Sequence, residues 1–197
     1  ELWFRPGIDS SLHSDYLLHR GTGPNLGDYL GLRSSGTGSE YTNLFVYNGT
    51  STTDGATQLT TGQWYHVAVA RNGDNVSVYL NGLQEISTTM AATSTTGQWA
   101  FGGRSDTSIQ QKFAGNIDEI AVYAGALSGN AFQENYLSAI VQRDVPYAKT
   151  VLRYGPESYW RLDEVSPYTL AVDATGDGHT FTYHAAASRT GSGEDVG

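Results

Sequence analysis

The chain has 197 residues, enough for one large domain with its own core, or for one domain and part of another. A formal net charge of −9 excludes the basic stripe that nucleic acid requires and disfavours adsorption to anionic lipid. The sequence has no cysteine, which excludes disulfides and thiolate chemistry, and no apolar run approaches the roughly 20 residues that span a bilayer. The 24 glycines, with abundant Ser and Thr, suit many short strands joined by tight turns. Strands are predicted in chain order at 1–5, 15–19, 28–33, 43–48, 64–71, 75–81, 97–102 and 116–123, separated by Gly, Ser, Thr, Asn and Asp clusters. That spacing predicts an all-β fold, an antiparallel two-sheet sandwich or jelly roll, with one short helix.

The stretch "TTGQWYHVAVARNGDNVSVYLNG", residues 60–82, reads as a hairpin. Placing Asn72 and Gly73 in a two-residue turn pairs Arg71 with Asp74, Val69 with Val76, Val67 with Val78 and Tyr65 with Leu80. Because side chains alternate, those apolar pairs share a core face. The opposite face collects Ala68, Ser77, His66, Tyr79, Trp64 and Asn81, small and polar with aromatic rings at one end.

Ser128 is the predicted N-cap of the helix, with Ala131, Phe132, Asn135, Tyr136 and Ala139 at helical spacing. Residues 141–154 read as a connector, with a short helical turn in "RDVPYAKTVLRYGP". A strand follows in "ESYWRLDE", then a turn and a further strand in "DATGDGHTFTY", and the tail "RTGSGEDVG" reads as loop.

Three stretches, "GQWYHVAVARNGDNVSVYLNG", "FAGNIDEIAVYAGALS" and "YWRLDE…DATGDG", resemble the laminin-G-like, concanavalin A-like lectin/glucanase jelly rolls of bacterial extracellular proteins and phage tails. "ELWFRP" resembles a strand near the middle of that family's domain. The resemblance covers about residues 1–140 and 155–183. In the family the Tyr-Trp-Arg-Leu-Asp-Glu strand opens a domain, whereas here it follows the closing helix. Residues 1–140 therefore resemble a jelly roll lacking its first strands, and 155–197 supply such opening strands. They either complete this sandwich, or a neighbouring copy's, or begin the next repeat.

Glycoside hydrolases of this fold resemble one another in a Glu-x-Asp-x-Glu type strand, since their chemistry needs carboxylates facing each other. "NIDEIAV" and "RLDEVSP" instead set Asp beside Glu on opposite faces of a strand, so a hydrolase is the weaker reading. The five histidines are scattered without metal-ligand spacing, and His66 reads as an ordinary sheet residue. Calcium takes six to eight oxygens, which Gly-rich acidic turns supply. "DATGDG" offers Asp173 and Asp177, and resembles the family's calcium turn; Asp118 matches the family's other recurrent position. The alternative is that Asp173 makes an Asx-turn without metal. For a glycan, Trp64, Tyr79 and Trp99 are candidate stacking platforms and Arg104 a candidate hydrogen-bond donor. The reading is a non-enzymatic extracellular recognition or adhesion module of a fibre, surface protein or virion. It would bind a glycan, a protein surface or neighbouring copies; a structural repeat without a soluble ligand is the alternative.

Overall fold

The computed structural model describes residues 1–8, 14–23, 26–34, 40–93, 97–104, 111–141, 146–164 and 170–183. Two five-stranded antiparallel sheets face each other as a jelly-roll sandwich. The first runs β10 (Gly115–Asp118), β1 (Leu2–Pro6), β6 (Tyr65–Asn72), β7 (Asn75–Leu80), β8 (Leu83–Thr89). The second runs β5 (Thr52–Asp54), β4 (Tyr41–Tyr47), β3 (Leu26–Ser34), β2 (Asp15–Gly23), β9 (Gln98–Phe101). Between them lies one core, in which Leu2, Phe4, Val67, Val76, Val78 and Ile86 of the first sheet meet Leu17, Leu30, Leu32, Leu44 and Val46 of the second. Period-two alternation in each strand sends these residues inward.

Two strands of these sheets escaped the sequence reading. β8 buries only Ile86 well, so its polar residues hide the pattern, and β5 has three residues without an apolar one. The predicted strand at 116–123 is broken in two, because Glu119 takes φ +52 and separates β10 from β11 (Ile120–Val122). The hairpin register also differs from expectation. Its turn is Gly73-Asp74, pairing Asn72 with Asn75, Val69 with Val78 and Val67 with Leu80. Gly73 carries the positive φ, and Asp74 is held by the neighbouring strand: its carbonyl accepts from the Met90 nitrogen at 2.7 Å and its carboxylate from the Ala92 nitrogen at 3.2 Å. The slip is by two residues, so each side chain keeps its face and the core assignment stands.

Two helices form where one was expected. In α1 (Gly129–Ile140), Ser128 caps by accepting from the Ala131 nitrogen, and Ala131, Phe132, Asn135 and Ala139 make the buried stripe. The second, α2 (Tyr147–Arg153), grows out of the connector. Phe132 packs on Ala68 and Ala70, so the small-residue face of the hairpin is small because a helix lies on it. Beyond the helices, β12 (Ser158–Trp160) pairs with β11, and the short β13 (Leu170–Ala171) pairs with β14 (Phe181–Thr182). Trp160 enters the intersheet core while its neighbour Tyr159 packs on the helix side with Tyr147 and Val151.

Candidate functional site

The four candidate ligand residues do not converge. Trp64 precedes β6 and packs against the cluster of Trp3, Tyr147 and Tyr159, with the Arg5 guanidinium 5.2 Å from its ring centroid. Tyr79 lies beneath α1, with its ring 5.3 Å from that of Phe132; a Cβ added at Gly129 would come within 2.7 Å of it. Arg104 hydrogen-bonds Gln111 at 2.9 Å, away from both.

Trp99 is different. It stands on β9, the edge of its sheet, and is 41% exposed. The Arg20 guanidinium sits 4.9 Å from its ring centroid. Two residues on, Phe101 holds its ring within 5° of the Trp99 plane at 6.2 Å, and Phe101 in turn meets Trp160 and Phe181. An aromatic row thus runs from solvent into the core. Beside it, a slot of about 70 Å³ opens between the sheets, lined by Leu2, Leu18, Leu30, Val67, Val69 and Phe101, with Glu1, Ala121, Val122 and Trp99 at its borders. An exposed indole flanked by a guanidinium supplies the two things a sugar ring uses, an apolar face to stack on and donors for hydroxyls.

The candidate calcium ligands each have partners of their own. In the turn that opens at Asp173, that carboxylate accepts from the backbone nitrogens of Tyr159, Thr175 and His179, from the Thr175 hydroxyl, and lies 3.2 Å from His179 Nδ1. Burial alone would raise this carboxyl; the hydrogen bonds from Thr175, Tyr159 and His179 outweigh it and bring it down to about 2. Asp177 is exposed, its backbone nitrogen bonded to the Thr175 hydroxyl. Asp118 sits elsewhere, beside Glu119, Asp163 and Arg161, where burial first and the Glu119 charge second push its carboxyl up to about 7. Glu119 accepts a short hydrogen bond from the Tyr159 hydroxyl and faces Arg161 at 3.5 Å. Among the described residues no three His, Asp or Glu side chains stand close enough together to hold a metal.

One buried constellation had no sequence signal. The Glu1 carboxylate accepts from the Tyr123 hydroxyl at 2.6 Å and Asn135 Nδ2 at 2.8 Å, and lies 3.0 Å from His66 Nε2. Glu1 and His66 side chains are both fully buried. Burial would raise the Glu1 carboxyl, and the His66 contact overcomes it, holding the group below the usual carboxylate range. These four residues come from β6, α1 and the borders of β1 and β11, so the carboxylate ties the helices to the sheet. No spacing in the sequence links positions so far apart. Its side chain is fully buried and held by three partners, so the carboxylate fixes the positions of the segments that meet there.

Comparison with known proteins follows from this architecture. No curated protein sequence matches the chain. Among solved structures, a Bacteroides ovatus protein whose suggested role is carbohydrate binding matches with a TM-score of 0.61 at 21% identity, over 89% of this chain and 49% of that one. Domain 4 of AbnA, an extracellular arabinanase of Geobacillus stearothermophilus solved with arabinotriose, matches with a TM-score of 0.51 at 26% identity, over 68% of this chain and 63% of that one. A heptameric SAP-like pentraxin of Limulus polyphemus matches with a TM-score of 0.52 at 19% identity, over 67% and 65%. The chain therefore spans about half the length of the first and just under two thirds of the other two. A family model described as the concanavalin A-like lectin/glucanases superfamily matches residues 1–131. With that match over most of its length and a two-sheet jelly roll to carry it, the chain belongs to the concanavalin A-like lectin/glucanases superfamily.

Proposed function

We propose that the chain is a non-enzymatic glycan-recognition module of an extracellular fibre or surface protein, and that it binds through the β9 edge. The observation that carries this reading is Trp99. Of the three aromatic candidates it alone is more than a third exposed, and it has a guanidinium over its ring. The AbnA domain that shares this fold was solved with arabinotriose, which supports an oligosaccharide as the ligand class. The extracellular setting is likewise supported by that domain's parent, an extracellular enzyme. Against hydrolysis, the carboxylates of Asp118 and Glu119 are neighbours in sequence separated by a break in the strand, with Glu119 engaged by Tyr159 and Arg161. They do not face each other across a cleft as glycoside hydrolysis requires.

A glycan array followed by calorimetry on the best binder tests the reading. Trp99→Ala should abolish binding while leaving the chain folded, at a stability loss of about 1–2 kcal/mol for the part of the ring that packs beside Phe101. Binding that survives Trp99→Ala would move the site elsewhere, and turnover of a bound oligosaccharide would overturn the non-enzymatic assignment.

A further inference from the structure

Three Asn-Gly dipeptides occur in the chain, at Asn48-Gly49, Asn72-Gly73 and Asn81-Gly82. In such a pair the side-chain amide is open to attack by the following backbone nitrogen, because glycine has no Cβ to hinder the approach. The fold treats the three differently. Asn48 is 3% exposed and both ends of its amide are held. Its Oδ1 accepts from the Thr50 and Ser51 nitrogens at 3.0 and 2.8 Å, and its Nδ2 donates to the Ala91 carbonyl at 2.9 Å. Asn81 Oδ1 accepts from the His66 nitrogen at 2.9 Å, and Gly82 is buried, so that a Cβ there would meet Gln133 Cα at 2.9 Å. Asn72 and Gly73, by contrast, are both exposed. Among the described residues the Asn72 side chain makes no hydrogen bond, and a Cβ at Gly73 would meet nothing within 4 Å. Asn72 closes the ladder opposite Asn75, which leaves the Gly73 nitrogen in the turn and outside the strand pairing.

We infer that Asn72 is a modification site, at which the folded chain converts its own amide to aspartate and isoaspartate, with water as the co-reactant. First the Gly73 nitrogen attacks Asn72 Cγ. A new N–Cγ bond closes a succinimide ring, the Cγ–Nδ2 bond breaks, and Nδ2 leaves as ammonia with the proton of the Gly73 amide. Water then opens the ring on either side of that nitrogen. Breaking its bond to Cγ restores the ordinary main chain as aspartate. Breaking its bond to the Asn72 main-chain carbonyl carbon leaves the chain running through the side chain, as isoaspartate. No electrons are exchanged with a partner. Isoaspartate adds a methylene to the main chain at the residue that closes the hairpin, and either product sets a carboxylate beside Asp74. Asp74 secures that turn through the Met90 nitrogen at 2.7 Å and the Ala92 nitrogen at 3.2 Å, so the modification loosens the tie between the hairpin and the segment beyond β8.

The test incubates the full chain at mildly alkaline pH, below its melting temperature, and follows each Asn-Gly peptide by mass spectrometry beside a guanidinium-unfolded sample. In the folded chain the peptide carrying Asn72 should gain the mass of an amide turned acid, in both aspartate and isoaspartate forms, while Asn48 and Asn81 stay amides. Unfolding should remove the selection, so that all three convert at similar rates. Asn72→Gln, whose longer side chain does not close the same ring, should abolish the change at position 72 in a chain that folds as before. Conversion of Asn72 no faster than that of Asn48 and Asn81 in the folded chain would overturn the site. Aspartate without isoaspartate at position 72 would overturn ring closure, because direct hydrolysis of the amide gives aspartate alone. A preference for Asn72 that persists unchanged in the unfolded sample would show that local sequence, and not the fold, makes the selection, and would overturn the inference.

Discussion

Trp64 and Tyr79 at one sheet, and Trp99 on the edge of the other, are all aromatic side chains, yet their surroundings differ. The outer face of the β1–β6–β7 region is roofed by α1 and α2: Phe132 covers Tyr79, and Trp3, Tyr136 and Tyr147 pack above His66. The β9 edge has no such roof among the described residues, and Trp99 meets solvent. The difference teaches that an aromatic side chain on a strand becomes a platform or a core residue according to what a distant segment lays over it. Here that segment begins nearly fifty residues after Tyr79. The Glu1–His66–Asn135 contacts fasten the roof, whereas Arg20 alone leans over the open ring.

Both regions depend on the shared core, so the largest effect should come from there. Val78→Asp, at a fully buried position, or Val67→Asp places an unpaired charge between the sheets. Each should remove more than about 4 kcal/mol, which is comparable to the whole stability of many domains. Urea unfolding, or the absence of soluble folded protein, reads the outcome; a soluble variant with an unchanged melting temperature would refute the core assignment.

Removing α2 and the strand beyond it should come next. A chain ending at Val141 loses Tyr147, Val151, Tyr159 and Trp160, each at most 8% exposed. At roughly 1.5–3 kcal/mol per large apolar side chain, this loss should yield an insoluble or strongly destabilised product. We propose on this ground that residues 155–183 belong to the same folding unit as residues 1–140. A monomeric, cooperatively unfolding fragment would assign them to a separate unit, and would uncover Trp64 while α1 still covers Tyr79.

A smaller effect separates the acidic border of the roof from the rest. The Asp118 carboxyl is raised from 3.8 to about 7, so the folded chain holds that proton over a range in which the unfolded chain has lost it. Stability contributed this way is present below about pH 4 and declines as pH rises toward 7 and above. Asp118→Asn should therefore raise stability at pH 8 by about 1–2 kcal/mol, discounted for partial exposure, and by little at pH 4. Melting curves at the two pH values check this, and an equal effect at both would show that charge is not the cause.

The smallest expected effect is that of calcium. Since Asp173 is engaged by its own turn, adding calcium to metal-stripped protein should leave the melting temperature unchanged. A rise that Asp173→Ala abolishes would instead establish a metal site.

What was legible in the sequence was local. The alternation in "YHVAVA" and "NVSVYL", the Gly-bearing turn between them and the Ser128 cap act over a few residues, and each appears in the structure as strand, turn and helix start. The hairpin register was less legible, because Gly73 can occupy either central position of a two-residue turn, and the choice rests on bonds from Met90 and Ala92, just beyond β8. The candidate site was legible only as a set of residue types. Trp64, Tyr79 and Trp99 read alike, and only the placement of α1 and α2 against one sheet left Trp99 exposed.

By itself, then, the sequence determined the sandwich, its core positions and the helix start, because side-chain periodicity and backbone preference are properties of neighbouring residues. The tertiary structure alone decided which aromatic faces water, where a slot lies between the sheets, and that Glu1, His66, Tyr123 and Asn135 meet. Those outcomes depend on contacts between segments far apart in the chain, and burial and hydrogen bonding act on distance in space, which no local pattern encodes.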